Sequence, residues 1–219
     1  MDYIISDLHF GDKGIIKFER TEFDTVEQHD AFLVQQWNRT IVNKNDRVFF
    51  LGDLHDNSSN KKDLEYLKPL VSKLRGYKIM ILGNHDVYKE QDYLDLGFDE
   101  VIRGPYYYKP YIILSHEPCR EAFRNPYVWN IHGHLHNAKL ELDNYICVSA
   151  RHISYKPAKL SKMAEKIAGK VNKRNEHFME EWYSTFYDFN QWELQYDENG
   201  RVDTNKTRLL KEPKKYEAN

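Results

Sequence analysis

The chain has 219 residues, 41% of them hydrophobic and 30% charged, which is enough for one domain of ordinary size with a buried core. Its 32 basic and 34 acidic residues leave a formal net charge of −2, so the charge neither favours nor excludes a nucleic-acid partner. A mean hydropathy of −0.78 and the lack of a long apolar run exclude a transmembrane helix. An acidic residue directly after Met1 is not typical of a signal peptide. The two cysteines, Cys119 and Cys147, form no spaced framework, so we expect a reducing, cytoplasmic location.

Short apolar runs of four to six residues recur through the first two thirds of the chain. Runs of this length that end in glycine or a polar residue predict buried strands. They cover residues 3–6, 47–51, 78–82, 111–114, 127–131 and 145–148.

Helical patterns lie between some of these runs. Apolar residues from Val26 to Ile41 recur at helical spacing after a polar N-cap, either Asp24 or Thr25. A second amphipathic stretch covers residues 63–74. Because strands and helices alternate early and a hairpin pattern follows, we expect a layered α/β sandwich with a mixed sheet.

The last third is predicted to be mostly helical. From about residue 157 apolar residues recur at helical spacing, and an aromatic stripe follows at residues 178–189. A short strand ending in a tight turn is expected over residues 191–196. We therefore expect a domain of residues 1–157 and a helical C-terminal extension, residues 158–219, that packs on the domain or caps it.

A basic stripe follows one face of the predicted extension. It consists of Lys162, Lys166, Lys170 and Arg174, spaced by four residues. Together with the aromatic stripe it could hold a polyanion by charge and base stacking. A solvated face of an amphipathic helix has the same pattern and is the favoured interpretation.

Polar residues that can bind metal stand directly after five of the predicted strands. They are Asp7 and His9, Asp53, Asn84 and His85, His116, and finally His132, His134 and His136. Layered α/β folds assemble their sites at the carboxyl ends of strands. A single Asp here would be explained as a helix cap, and a single His as a core residue. Five such junctions together indicate one shared site.

The donor set defines the kind of site. Carboxylates with several imidazoles and no thiolate suit a borderline divalent ion such as Mn²⁺, Fe²⁺, Zn²⁺, Co²⁺ or Ni²⁺. The number of ligands exceeds the need of one ion, so we expect two ions, roughly 3.5–4 Å apart, that share a carboxylate. Such a pair activates water for in-line attack on phosphorus.

The combined motifs resemble the calcineurin-like metallophosphoesterase superfamily, above all its small bacterial and phage members. The resemblance covers about residues 1–160 and implies a layered α-β-β-α sandwich. The motifs that carry it are Asp7-x-His9, Gly52-Asp53, Gly83-Asn84-His85-Asp86, His116 and Gly133-His134-x-His136.

The resemblance also implies roles for individual residues. His85 would lie just outside the ions and protonate the leaving oxygen or hold a phosphate oxygen. Asp56, three residues after Asp53, matches an aspartate that orients this histidine in the phosphoprotein phosphatase branch, and an ordinary turn residue is an equal alternative. The metal ligands would be Asp7, His9 and His136 for one ion, Asn84, His116 and His134 for the other, and Asp53 as the bridge.

Some positions depart from known branches of the superfamily. Asn57 and Ser58 replace the Arg-Gly of the phosphoprotein phosphatases, so a Ser/Thr protein phosphatase is not expected. His85 stands where the lipid-precursor pyrophosphatases usually have arginine. Asp12 stands where small relatives often have histidine, which leaves the substrate contacts there open. Arg20 is either a phosphate contact or, as we favour, a solvated surface residue.

We therefore expect a dinuclear metal-dependent phosphoesterase that prefers phosphodiesters of nucleotide type. Mn²⁺ is the favoured ion, and the expected partner is a phosphorylated small molecule or a nucleotide. The alternatives are a phosphomonoesterase, a nuclease that uses the basic stripe, and a non-catalytic scaffold on the same fold. Because Asp53 and His85 are both present, the scaffold is the weaker alternative. No membrane partner is expected, and the oligomeric state is left open.

Overall fold

The structure, a computed structural model, describes residues 1–172 apart from 20, 21, 57, 110 and 126, together with residues 192–193 and 208–209. The chain divides into two compact units, Met1–Ala168 and Gly169–Asn219. All candidate metal ligands named above, together with His85 and Asp56, belong to the first unit.

The described strands of the first unit lie close to the predicted ones. Each of the six predicted strands is present within two residues of its expected bounds. The strands are β1 (Asp2–Ile5), β2 (Arg47–Phe50), β3 (Tyr77–Ile81), β4 (Glu100–Ile102), β5 (Tyr106–Lys109), β6 (Ile112–Ser115), β7 (Trp129–His132), β8 (Tyr145–Cys147) and β9 (Ala158–Lys159).

Six helices are described. Helix α2 (Val26–Thr40) begins after Thr25, whose side-chain hydroxyl accepts a hydrogen bond from the backbone of Gln28 at 3.3 Å, so Thr25 is confirmed as the N-cap. The helices are α1 (Lys13–Phe18), α2 (Val26–Thr40), α3 (Lys61–Val71), α4 (Glu90–Leu96), α5 (Arg120–Arg124) and α6 (Leu160–Asn172).

The fold is mixed α/β with two mixed sheets. The first sheet has the order β4-β3-β2-β1-β9, in which β1 to β4 are parallel and β9 pairs antiparallel with β1. The second sheet has the order β5-β6-β7-β8, with an antiparallel β5–β6 hairpin and parallel pairing from β6 to β8. Residues 158–159, expected at the start of the extension, thus add an edge strand to the first sheet.

The two faces of the first sheet pack against different partners. Alternate residues of a strand point to opposite faces, and in β2 Val48 and Phe50 join a core cluster with Leu33 and Trp37 of α2. On the other face, the ring of Phe49 lies 5.5 and 5.6 Å from the rings of Tyr106 and Tyr108 in β5. The strands are therefore buried on both sides, which explains their continuous apolar runs.

The C-terminal part of the chain is described only in pieces. The apolar stripe after residue 157 forms α6, and within the predicted strand 191–196 a short strand, β10 (Trp192–Glu193), pairs antiparallel with β11 (Arg208–Leu209). The aromatic stripe at 178–189, the turn after residue 196, Arg174 and Arg20 lie outside the described residues. Among the helices that the structure describes, none has the length and apolar character needed to cross a membrane.

Candidate metal centre

The carboxyl ends of β1, β2, β3, β6 and β7 bring the predicted site residues together at one edge of the two sheets. The sheets are joined at this edge through Ser6, directly after β1. Its backbone nitrogen donates to Val148 at 3.1 Å, and its carbonyl accepts from Ala150 at 2.9 Å. Residues that follow strands of different sheets therefore face each other.

The backbone of this edge is in an unusual conformation. Five candidate ligands have φ angles between 45° and 67°, the left-handed region that residues with a side chain rarely occupy. Each such residue costs about 1–3 kcal/mol, and such residues cluster at functional sites. They are Asp7, His9, Asp53, His134 and His136.

Two glycines let neighbouring loops approach the carboxylates. A Cβ atom on Gly83 would lie 2.3 Å from Oδ1 of Asp53. A Cβ atom on Gly133 would lie 2.3 Å from Oγ of Ser6 and 2.6 Å from Oδ2 of Asp7. Both approaches are closer than any side chain permits, so the motif glycines are required by packing around the site.

Two groups of candidate ligand atoms share Asp53. In the first group, Asp7, His9, Asp53 and His136 each place one donor atom within 4.8 Å of the others. Nε2 of His9 lies 3.7 Å from Oδ2 of Asp53, and Nε2 of His136 lies 3.9 Å from Oδ1 of Asp7.

The second group forms around His116. Its Nε2 lies 3.2 Å from Oδ2 of Asp53 and 3.2 Å from Nδ1 of His134. Oδ1 of Asn84 lies 2.8 Å from the same nitrogen. The second group also has one donor atom per residue within 4.8 Å of the others, from Asp53, His116 and His134. The chain thus has two adjacent candidate metal clusters of the His/Asp type with one carboxylate in common.

The residues present fit divalent cations. Both ring nitrogens of His9 and Oδ2 of Asp53 are buried and have no hydrogen-bond partner among the described residues. Leaving such atoms unpaired in the interior is unfavourable, and native structures rarely do so. A cation coordinated by them would remove this penalty, and imidazole with carboxylate suits the borderline divalent ions.

Two of the imidazoles are oriented by hydrogen bonds at their other nitrogen. Nδ1 of His116 donates to the carbonyl of Leu51 at 2.7 Å, and Nδ1 of His136 donates to Oε1 of Glu19 at 2.9 Å. Each bond leaves the Nε2 lone pair directed at the cluster, as metal-binding histidines require. Glu19 is buried, with 4% of its surface exposed. No sequence pattern points to Glu19, because it caps a short helix and shares no spacing with the ligand motifs.

The charges of the site are balanced by protons when no cation is bound. Burial would raise the pKa of Asp53, but the nearby imidazoles of His116 and His9 and the backbone N–H of His85 lower it overall. Burial would lower the pKa of His116, but the same interactions with Asp53 raise it to about 9. Cations that bind here must displace protons from the imidazoles, so binding should tighten as the pH rises.

His85 lies at the rim of this cluster. Its backbone N–H donates to Oδ1 of Asp53 at 3.0 Å, and its Nε2 lies 4.0 Å from Oδ2 of Asp53. About one third of its side chain is exposed. This histidine can therefore meet a ligand at the cluster from the solvent side.

Asp56 contacts a different histidine from the one that the sequence suggested. Its Oδ1 lies 3.1 Å from Nε2 of His55 and accepts a hydrogen bond from the backbone of Ser58 at 2.9 Å. Within the described residues Asp56 and His85 form no ion pair. Asp63 completes a third group of donor atoms with His55 and Asp56.

Asp86, which closes the motif Gly83-Asn84-His85-Asp86 and had no predicted role, is a second carboxylate that supports the site. It accepts hydrogen bonds from the backbone of Asp53 at 2.7 Å, Gly83 at 2.7 Å and Leu54 at 3.1 Å. It therefore joins the loops after β2 and β3. His132, named above among the strand-end residues that can bind metal, is buried in β7 with its Nδ1 2.8 Å from the carbonyl of Gly133.

Two pockets reach residues of the clusters. One, of about 310 Å³, is lined by residues that include Asn84, Ser115, His116 and Glu117. The other, of about 300 Å³, is lined by His9, Asp12, Gly14, Ile15, Phe18, Asp53, His85, His134 and His136. Ligands can thus reach His116 from the first pocket and Asp53 from the second.

The strand-end motifs, the paired clusters and the two sheets define a class of protein. Residues 3–205 match the calcineurin-like phosphoesterases, and the chain belongs to this family. The resemblance read from the motifs is therefore confirmed.

The chain is similar to several proteins from distant organisms. An uncharacterized protein of Methanocaldococcus jannaschii is 35% identical over 179 residues, which are 77% of this chain and 93% of that protein. The gene 66 protein of Mycobacterium phage L5 is 39% identical over 84 residues, which are 38% of this chain and 39% of that protein. The crystal structure of a protein of unknown function from Aquifex aeolicus is 26% identical with a TM-score of 0.59, covering 75% of this chain and 98% of that one.

Proposed function

We propose that this protein is a dinuclear metal-dependent phosphodiesterase acting on diesters of nucleotide type. The observation that carries the proposal is the carboxylate of Asp53. Its Oδ2 is buried, has no hydrogen-bond partner in the described part of the chain, and belongs to both clusters of donor atoms. A carboxylate in this position suits a bridge between two cations.

The ligand assignment follows the two clusters. Asp7, His9 and His136 would hold one cation, and His116 and His134 the other, with Asp53 common to both. The 2.8 Å contact between Asn84 and His116 supports Asn84 as a further ligand of the second cation. When bound, such a pair of cations polarises the phosphoryl group and makes a nucleophile available from water at neutral pH.

The protein's own groups would then orient the ester and move one proton. His85 is placed to donate a proton from Nε2 to the oxygen of the leaving group, because it lies at the rim and is partly open to solvent. The hydrogen bond from its backbone to Asp53 keeps the imidazole at a fixed distance from the cluster. We assign no catalytic role to Asp56, whose contacts are with His55 and Ser58.

The pockets favour a diester over a monoester. A diester has two substituents on phosphorus, and two pockets of similar volume reach the second cluster: one of about 310 Å³ at His116 and one of about 300 Å³ at Asp53. No lysine or arginine is among the described residues that line them. A phosphomonoester carries a further negative charge near neutral pH, which side-chain cations would be expected to balance.

The test is an assay of the Mn²⁺-loaded protein on bis(4-nitrophenyl) phosphate and 4-nitrophenyl phosphate. We expect metal-dependent turnover with a preference for the diester. Asp53→Asn should reduce kcat by on the order of 10³-fold or more. Asp95→Asn is the matched control, because Asp95 is an exposed aspartate on α4.

Three results would contradict the proposal in different ways. Metal-dependent turnover retained by Asp53→Asn would reject the shared carboxylate. A preference for the monoester would make the protein a phosphomonoesterase. Stoichiometric Mn²⁺ binding without turnover of either ester or of a dinucleotide would point to the scaffold alternative.

A further inference from the structure

One wall of the pocket of about 300 Å³ is made by an aromatic ring. Phe18, the last residue of α1, lines this pocket together with His9, His85 and His136. It is 66% exposed. An isolated exposed phenylalanine is common on protein surfaces, but this ring lies within the pocket that reaches Asp53.

The ring is held at a defined position relative to the cluster. It meets the imidazole of His136 edge-on, with ring centroids 5.4 Å apart and planes at 81°. The His136 ring in turn lies 5.0 Å from the ring of His9. Edge-to-face packing of this kind stabilises aromatic pairs and restricts their orientation.

The helix that carries the ring is itself anchored. Oδ1 of Asp12 accepts a hydrogen bond from the backbone of Gly14 at 2.6 Å and so caps α1. Ile15, one turn before Phe18, is buried with 4% exposure. Phe18 therefore needs little ordering when a ligand binds, which favours affinity.

The pocket of about 310 Å³ has no such ring. Its lining combines polar residues such as Asn84 and Glu117 with Leu82, Pro105 and Pro118, and includes no phenylalanine, tyrosine or tryptophan among the described residues. A flat apolar group of the substrate would thus bind better on the Phe18 side. Among the groups that are esterified to phosphate in biology, nucleosides have such a flat face in their nucleobase.

We propose that Phe18 is a stacking platform for the nucleobase of a substrate whose phosphate lies at Asp53. This inference rests on the proposed function and specifies its substrate as a nucleotidyl ester. Every base has a π-face, so stacking on Phe18 selects for a base without selecting one base over another.

The test compares two ligands that differ by the base. Binding of AMP and of ribose 5-phosphate to the Mn²⁺-loaded full-length protein is measured by isothermal titration calorimetry. Base–aromatic stacking predicts that AMP binds roughly 5- to 150-fold more tightly than ribose 5-phosphate. Phe18→Ala should remove this difference while leaving the affinity for ribose 5-phosphate unchanged, and Phe18→Trp should retain it.

Phe123→Ala is the matched control. Phe123 is 72% exposed on α5 and is not among the lining residues of either pocket. The inference is overturned if wild type binds both ligands equally or binds neither. It is also overturned if Phe18→Ala keeps the preference for AMP, or if Phe123→Ala loses it.

The result is separable from the proposed function because binding needs no turnover. A Phe18-dependent preference for AMP in a protein that hydrolyses no ester would support the subsite and reject the reaction. Hydrolysis of diesters without that preference would support the reaction and reject the subsite.

Discussion

The two sheets contribute different chemistry to the same site. The loops after β1, β2 and β3 of the first sheet carry Asp7, Asp53 and Asn84, together with His9 and His85. The loops after β6 and β7 of the second sheet add three imidazoles: His116, His134 and His136. Each cluster of donor atoms takes members from both sheets. Neither sheet by itself presents a complete cluster, so the packing of one sheet on the other creates the site.

The two sheets also differ in the charged groups that they supply. The first sheet supplies the carboxylates, and the second supplies only imidazoles to the two clusters. The carboxylates of the first sheet are held by hydrogen bonds, as at Asp7, which accepts from Ser6 Oγ at 2.5 Å and from the backbone of His134 at 3.1 Å. Among the imidazoles of the second sheet, that of His116 has its pKa raised to about 9 by its interactions with Asp53. Changes to the first sheet should therefore remove function outright, and changes to the second should alter its dependence on pH and metal concentration.

Among variants that keep every proposed metal ligand, the largest effect is expected at His85, a rim histidine of the first sheet. Under the proposed mechanism, His85→Ala should lower kcat by about 10²- to 10⁴-fold because the leaving oxygen loses its proton donor. The loss should be larger for an alkyl leaving group than for 4-nitrophenolate, which needs less protonation. Steady-state kinetics on a diester with an alkyl leaving group and on bis(4-nitrophenyl) phosphate checks this. The Mn²⁺ content of each variant is measured in parallel.

The companion variant is Asp56→Ala. Because Asp56 contacts His55 and Ser58, its removal should reduce kcat far less than the loss of His85. An equal loss in the two variants would restore Asp56 as the residue that orients His85. Loss of bound Mn²⁺ in His85→Ala would make His85 a ligand instead of a proton donor.

The next effect is the dependence on pH of the stability of the metal-free protein. The folded-state pKa of His116 is about 9, above the ordinary value of 6.5, so the folded chain binds the proton more tightly. Its contribution to stability is complete below pH 6.5 and is lost as the pH rises to about 9, at up to roughly 1.4 kcal/mol per pH unit. The lowered pKa of Asp53 acts in the opposite sense, and its contribution is lost as the pH falls below the ordinary value of 3.8.

Urea denaturation in EDTA between pH 6 and 10 measures this contribution. The slope of the free energy of unfolding against pH should be reduced in His116→Gln. It should be unchanged in Lys139→Gln, which is a control on the surface. Adding Mn²⁺ should reverse the slope, since deprotonated imidazoles bind the ion better. A flat profile for the wild type in EDTA would refute the coupling between Asp53 and His116.

A smaller effect is expected where the two sheets meet. Gly133→Ala places a methyl group against Ser6 and Asp7, and we expect a loss of about 1–3 kcal/mol in the free energy of unfolding together with weaker Mn²⁺ binding. Gly169→Ala, in α6, meets no atom within 4 Å and should stabilise the helix by about 0.5–1 kcal/mol. Equal effects at the two positions would show that the junction tolerates a side chain.

The smallest effect concerns the orientation of one imidazole. Glu19→Gln should weaken Mn²⁺ binding by about 10- to 100-fold, because the amide is a poorer acceptor for Nδ1 of His136. Glu65→Gln, on the exposed side of α3, is the control. Calorimetric titration with Mn²⁺ and thermal unfolding of both variants distinguish a role in orienting His136 from a role in packing. Unchanged affinity with lowered stability would make Glu19 a packing residue only.

The strands and the strand-end residues were predictable because their signals are local. A buried strand appears as a short apolar run, and a polar residue directly after it is recognised without knowledge of the fold. The carboxyl ends of parallel strands then meet by geometry, so Asp7, Asp53 and Asn84 could be placed together before the structure was known.

Partners across long stretches of chain were not predictable. Glu19 and His136 are 117 residues apart and Asp86 and Asp53 are 33 apart, and no periodicity links the members of either pair. The prediction for Asp56 rested on its spacing from Asp53, but the turn that follows β2 brings it beside His55. Spacing along the chain does not determine which way a side chain points once the backbone has turned.

The sequence by itself determined the family, the strands of the two sheets and the chemical types of the candidate ligands, since these depend on composition and short-range pattern. Only the tertiary structure decided that both clusters share Asp53, that Glu19 orients His136, and that Phe18 lines the pocket beside the site. The physical reason is that each of these contacts joins elements distant in sequence, and their distances are set by the packing of one sheet on the other.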